Sequence, residues 1–204
     1  MFKKLASDAL GLSEVGSVVS AEDYDKVDAD DYVMHEDGEK IYFLIKSKAD
    51  EYCFTNQSLI HVDGDSAASK KRTLRRYPYH THHFSGVELE TAGTIDLDIE
   101  IKFHLGGVQF DIDVHKKYLE DLKHLYKSLL KISEITLENE TFTSYAQQSM
   151  QYASDTLLHS RSQERNLASE FKQINETAFD WLVHTKEEFQ IKDFGYIFEQ
   201  FIKE

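Results

Sequence analysis

Ile95-Asp96-Leu97-Asp98-Ile99-Glu100-Ile101-Lys102-Phe103 alternates apolar and charged side chains without a break. Successive side chains of a strand point to opposite faces, so this order marks a half-buried antiparallel strand with the odd-numbered residues inward. Gly106-Gly107 follows where a tight hairpin needs positive φ, and Val108, Phe110, Ile112 and Val114 resume the alternation on a returning strand. After Val114 the period lengthens. Tyr118, Leu122, Leu125, Leu129 and Ile132 recur at steps of three and four, and Leu119, Tyr126 and Leu130 widen the stripe. One helix therefore follows the last strand, with an apolar face wide enough to cover a barrel mouth rather than form a narrow coiled-coil seam.

Upstream, Ile41–Lys46, Glu51–Thr55 and 58–62 are rich in β-branched and aromatic residues between short polar breaks, and read as strands of a meander. Residues 64–69 form a turn, and 72–79 are an extended run holding Pro78, the one proline. Segment 22–39 carries nine carboxylates against Lys26. It is expected to be solvated loop around a short strand at Tyr32, Val33 and Met34, and it lacks the ligand spacing of a calcium-binding loop. At the start, Phe2, Leu5, Ala6, Ala9, Leu10 and Leu12 fall at helical spacing beside Lys3 and Lys4. This amphipathic helix suits docking on the body of the protein or shallow membrane insertion. Short antiparallel strands followed by one amphipathic helix predict an α+β fold: an antiparallel β-barrel or roll plugged at one end.

The 204 residues suffice for one domain with an appendage, and 41% hydrophobic residues can bury a core. A net charge of −14 opposes binding to nucleic acid, which needs an extended basic surface. No apolar run reaches transmembrane length, and residues 1–12 lack a signal-peptide core, so a cytoplasmic, not transmembrane, protein is expected. Cys53 is the one cysteine, which excludes an internal disulfide and a cysteine-rich zinc site, and its apolar neighbours Tyr52 and Phe54 suit a small buried hydrophobe.

The run Phe84-Ser-Gly-Val-Glu-Leu-Glu-Thr-Ala-Gly-Thr-Ile-Asp-Leu-Asp-Ile-Glu-Ile-Lys-Phe103 resembles the signature stretch of a bacterial pleckstrin-homology (PH) domain family. The preceding Lys71-Arg72-Thr73-Leu74-Arg75-Arg76-Tyr77-Pro78-Tyr79, the Gly106-Gly107 hairpin and the helix from Leu119 to Leu130 are similar in order and spacing. The resemblance spans residues 1–133, with Glu90-Thr91-Ala92-Gly93-Thr94-Ile95-Asp96-Leu97 its most specific part. It implies a PH-like barrel capped by a C-terminal helix and brings no catalytic residues. Some members of that family carry a YvbH-like helical extension that drives homo-oligomerisation, which the tail matches only in kind. The expected division is a PH-like domain over 1–133 and a helical oligomerisation extension over 134–204.

The tail's own residues support helix, since neither glycine nor proline occurs between Gly107 and Gly195, although the polar, β-branched stretch 136–139 is a possible break. Positions 146, 150, 153, 157, 160, 164, 167, 171, 174, 178 and 181 follow heptad-like steps, weakened at Ser160 and Glu164. The polar centre 159–166 is either exposed within one long helix or the bend of an antiparallel hairpin. A lone helix would leave its apolar seam wet, which favours the hairpin. Phe189, Ile191, Phe194, Tyr196, Ile197, Phe198, Phe201 and Ile202 crowd the last sixteen residues and must dock, on the chain's own hairpin or on a neighbouring subunit. The family resemblance favours the neighbour. Candidate oligomerisation residues are Phe142, Leu157, Leu167, Phe171, Ile174, Trp181, Phe194 and Phe198.

Two clusters carry binding chemistry. Lys70, Lys71, Arg72, Arg75 and Arg76 form the one basic run, suited to a phosphate or anionic lipid headgroup, or else to neutralising Asp96, Asp98, Glu100, Asp111 and Asp113 on outward sheet faces. His80, His82 and His83 are candidate metal ligands, although no third-ligand spacing beyond them is visible and a solvated, pH-sensitive loop explains them equally. Alternation alone accounts for the carboxylates Asp96, Asp98 and Glu100. No nucleophile elbow, phosphate-binding glycine loop or zinc-protease motif occurs. The expected function is a non-enzymatic, cofactor-free PH-like binding or scaffold module that homo-oligomerises through its helical extension, with its ligand left open between a protein partner and anionic lipid. Peripheral binding to anionic phospholipid through 70–76 is the alternative, and a metal-dependent enzyme at the three histidines a weaker one.

Overall fold

The structure, a computed structural model, describes residues 14–64, 72–91, 98–159 and 167–202, with side chains described for all of these except 156–159, 167, 168, 170 and 171. The chain divides into two compact units: Met1–Glu134 with Lys192–Glu204, and Ile135–Ile191.

The first unit holds two antiparallel sheets. Five strands pair in chain order: β1 (Ser17–Val18), β2 (Ile41–Lys46), β3 (Glu51–Thr55), β4 (Ser58–Gly64) and β5 (Arg72–Pro78). Three more form the second sheet: β6 (Phe84–Glu90), β7 (Asp98–Leu105) and β8 (Val108–His115). The expected alternation is present on the described part of β7, where Ile99, Ile101, Phe103 and Leu105 are buried; Ile95, Asp96 and Leu97 lie outside the described residues. Leu105 pairs with Val108 across Gly106 (φ +59°) and Gly107 (φ +83°), the backbone a two-residue hairpin demands. Phe110, Ile112 and Val114 face the core on β8.

One corner between the sheets is closed through Gly16, whose N–H donates to Asp113 O at 2.8 Å and whose carbonyl accepts from His115 N at 3.0 Å. A Cβ there would lie 2.7 Å from Ile45 Cγ2, so only glycine permits the approach. Helix α1 (Leu119–His159) supplies the plug, with Leu122, Leu125, Leu129 and Ile132 fully buried. Each contributes about 2 kcal/mol of apolar burial. The fold is thus the mixed α and β architecture expected, with antiparallel sheets and a covering helix.

Three local expectations change. Tyr32, Val33 and Met34 are not a strand: the acidic segment folds into 3₁₀ turns Ala21–Lys26, Asp28–Tyr32 and His35–Asp37. Two buried carboxylates fasten these turns. Glu51 accepts from Ala29 N at 2.8 Å and from Lys46 Nζ, while Glu39 accepts from Met34 N at 2.8 Å, Ser58 Oγ at 2.9 Å and Arg76 Nη2 at 2.7 Å, and from Thr55 Oγ1. Residues 136–139 do not interrupt α1, because Thr136 is buried and helix-compatible neighbours continue on either side. The apolar C-terminus returns to the first unit of its own chain rather than to the hairpin or a neighbour. Phe194, Ile197 and Phe198 of α3 (Gly195–Phe201) and its N-cap are fully buried, Phe198 stacks on Tyr42 at 5.4 Å, and Phe194 N donates to Asn56 O at 2.7 Å. The predicted N-terminal helix, 1–12, lies outside the described residues.

In the second unit, the distal part of α1 and α2 (Leu167–Phe189) fold back on each other: Phe142 stacks on Phe189 with ring centroids 5.3 Å apart. In one straight helix those residues would be roughly 70 Å apart. Of the heptad-like positions, Ala146, Met150, Ala178 and Trp181 are half-buried, whereas Ala153 and Ile174 are exposed; Thr185, one step beyond that series, is buried.

Candidate functional site

β3 and β4 place Tyr52 opposite His61, and the two rings stack face to face at 4.6 Å with 9° between planes. Their neighbours Cys53, Ile60 and Val62 pack under the 3₁₀ turns with Val27, Ala29 and Val33, so period-two alternation puts this pair on the opposite face, in phase with the fully buried Phe54 and Leu59. Phe110 of β8 meets both rings nearly perpendicularly, at 6.3 Å and 5.8 Å, and Tyr77 of β5 meets Phe110 at 5.4 Å and 90°. Together with Arg75 and Asp111 these rings line an open cleft of about 520 Å³ in the first unit. A smaller pocket of about 140 Å³ adjoins it, sharing Tyr52 and Asp111 and adding Glu14, Asp50 and Asp113.

The cations lining the cleft already have anionic partners. Arg75 Nη1 donates to Asp63 at 2.8 Å, and His61 Nε2 lies 3.0 Å from Asp50 Oδ1. Burial first, then the charges of Asp50, Asp63 and Asp113, hold the Tyr52 hydroxyl well above its ordinary range. Asp113 is likewise raised by partial burial, then by Glu100 and Asp98.

The basic run is dispersed onto the chain's own acids. Arg76 binds the buried Glu39, Arg75 binds Asp63, and Arg72 reaches Ala49 O at 3.1 Å and Asp28 at 3.6 Å. Lys70 and Lys71 lie outside the described residues. Of the sheet-face acids expected to neutralise this run, Glu100 pairs with Lys102 at 2.9 Å, which also reaches Glu90 at 3.1 Å, Asp111 accepts from Gln109, and Asp96 lies outside the described residues. Register explains the difference: β5 pairs with β4, so its arginines reach Asp63 of that strand and Glu39 and Asp28 of the acidic segment beside it.

The three histidines are not gathered as metal ligands. His82 packs against Tyr77 at 5.7 Å, with Nδ1 2.9 Å from Thr81 Oγ1, while His80 is exposed on the same turn. Partial burial, then the charges of Lys192 and His82, lower His80. Among the described residues no three His, Cys, Asp or Glu side chains come together as a metal site. Cys53 is buried, and burial raises its thiol far above the ordinary value, which makes it an inert core residue. Of the oligomerisation candidates, Phe142 and Ile174 are exposed, Trp181 is half-buried, and Phe194 and Phe198 are inside the first unit; the side chains of Leu157, Leu167 and Phe171 lie outside those described.

The sequence reading missed the cleft, because Tyr52, His61, Tyr77 and Phe110 come from four strands. Both phases of β3 and β4 carry buried residues, so alternation does not mark which rings line the cleft.

Residues 9–133 match the bacterial PH domain family, and residues 144–204 match the YvbH-like oligomerisation region. The chain belongs to the bacterial PH domain family. It is 58% identical over 202 residues to the uncharacterised protein YvbH of Bacillus subtilis (strain 168), covering 99% of each chain. A second B. subtilis protein, YjqA, also uncharacterised, is 34% identical over 85 residues, 42% of this chain and 66% of that one. A crystal structure of a PH-domain-containing bacterial protein from Exiguobacterium sibiricum 255-15 superposes with TM-score 0.84 at 48% identity, covering 93% of this chain and 100% of that one. Among the described residues of this bacterial PH-domain protein, no helix is long and apolar enough to cross a membrane.

Proposed function

We propose that the protein is a non-enzymatic PH-like module that homo-oligomerises through its helical hairpin and presents several barrels as one binding platform. The observation that carries this is the apolar surface of the second unit. Leu137, Tyr145 and Tyr152 on α1 and Phe179, Leu182 and Val183 on α2 are all exposed, three of the aromatics by 60% or more. Exposed large side chains in that density on a helical hairpin are the mark of an interface. The likeness of 144–204 to an oligomerisation region supports the same reading. Weak contacts of each barrel gain from being linked, because a second contact in an assembly is intramolecular.

Sedimentation of the full chain tests it. The parent is expected to sediment as an oligomer, and Tyr152→Glu with Phe179→Glu to shift it to the monomer while near-UV circular dichroism of the barrel tyrosines stays unchanged. A monomeric parent, or a double variant that sediments like the parent, overturns the proposal.

A further inference from the structure

The cleft beside Tyr52 goes beyond this reading, since all of it lies in the first unit and does not depend on assembly. Its chemistry is that of cation recognition. Tyr52 stacked on His61, Phe110 set steeply against both and Tyr77 set steeply against Phe110 line an open space; His61 covers one face of Tyr52 and Phe103 one face of Phe110, and the remaining face of a ring attracts a cation by its quadrupole. An anion finds no free positive group there, because Arg75 is held by Asp63 and His61 by Asp50. The carboxylate Asp111 stands between the cleft and the adjoining pocket, its oxygens 2.9 and 3.1 Å from Gln109 Nε2. Beyond it the second pocket adds Glu14, Asp50 and Asp113; Glu14 is bridged by Lys48 at 2.8 Å and Asp50 by His61 at 3.0 Å, so the carboxylates it offers a cation are Asp111 and Asp113.

We infer that the cleft and its acidic neighbour together hold an organic dication, one alkylammonium or guanidinium group against the rings and a second against the carboxylates. A volume of about 520 Å³ lies within the range of small-molecule sites. The acids alone would take any cation. The rings select one with an alkyl or planar body, because they reward desolvated, polarisable groups that a hydrated inorganic ion does not offer. Free polyamine and a pair of basic residues in a partner polypeptide share this chemistry.

Calorimetric titration of the full chain with spermidine, with an acetylated and amidated Lys-Arg dipeptide, and with MgCl₂ at matched ionic strength tests the inference. At least one organic cation is expected to bind saturably with a Kd of about 1 mM or tighter, while MgCl₂ gives no comparable saturation. Asp111→Asn, a change at an exposed position, is expected to weaken it about fivefold or more; Tyr52→Leu does the same and Tyr52→Phe does not. Spermidine alone binding identifies a free polyamine as ligand, and the dipeptide alone a polypeptide. No saturable binding by either, equal binding of MgCl₂, or Asp111→Asn binding like the parent overturns it. Because the double hairpin variant above retains the barrel, the same titration on it separates this result from the fate of the assembly.

Discussion

Replacing Phe198 by Ala tests whether the C-terminal segment belongs to the barrel of its own chain. Phe198 is fully buried, stacked on Tyr42 at 5.4 Å and tilted against Tyr79 at 6.4 Å, while Tyr42 Oη donates to Glu199 at 2.7 Å in the same helical turn. Removing a fully buried phenyl ring costs about 3–5 kcal/mol, the lost transfer energy plus a cavity. For a chain of this length that lowers Tm by roughly 6–20 °C. Tyr196→Ala, on the exposed side of the same turn, is expected to cost no more than about 0.5 kcal/mol. Urea unfolding followed by near-UV circular dichroism reports the tyrosine-rich barrel, and Trp181 fluorescence reports the hairpin separately. The loss is expected in the barrel signal and to be independent of protein concentration. A Phe198→Ala barrel within about 1 kcal/mol of the parent refutes the seat, and a loss that varies with concentration shows that the segment docks on another subunit.

Three further outcomes follow from buried groups. Among the described residues the fully buried Tyr79 hydroxyl has no hydrogen-bond partner, so Tyr79→Phe is expected to leave stability unchanged or raise it by about 1 kcal/mol in urea titration; a loss of that size would reveal a hidden partner. At Glu39 burial favours protonation, but the donors Thr55, Arg76, Met34 N and Ser58 outweigh it and hold the carboxyl below 4.5. Its ionised form therefore stabilises the fold above about pH 4.5, and this is lost as pH falls through the depressed folded value. Glu39→Gln, which strands Arg76, is expected to cost about 3 kcal/mol at pH 7 and less at pH 3, and an equal cost at both would refute the assignment. Gly106→Ala combines φ +59° with a Cβ 2.3 Å from His82 Cδ2, whose ring is held by Thr81 and Pro78, so a loss of about 1–3 kcal/mol in the same titration is expected.

The barrel was legible where one periodicity decides the outcome. On β7, β8 and α1 the buried apolar residues announce themselves by their spacing, although Leu130 of the expected stripe is exposed, and β2 and β3 have the bounds their β-branched and aromatic runs predict. What escaped depends on partners distant in sequence. The acidic segment reads as solvated until Glu39 and Glu51 are seen to be buried, one against Arg76, 37 residues on, the other capping Ala29, 22 residues back. Arg72, Arg75 and Arg76 read as a free basic patch for the same reason. The cleft is invisible because both faces of β3 and β4 carry buried residues, so no alternation singles out Tyr52 and His61 in the sequence.

The return of the C-terminus changes how assembly has to be tested. The chain leaves the first unit along α1 and re-enters it at Lys192, so the hairpin is an insertion tied at both ends rather than a detachable tail. Ending the chain near Ser133 would delete Phe194, Ile197 and Phe198 along with the hairpin and uncover the fully buried Tyr79, an apolar surface prone to associate by itself. Self-association of such a fragment would then say nothing about the hairpin. Point changes at Tyr152 and Phe179 leave the seat of α3 intact, so only they connect the oligomeric state to the exposed face of the second unit.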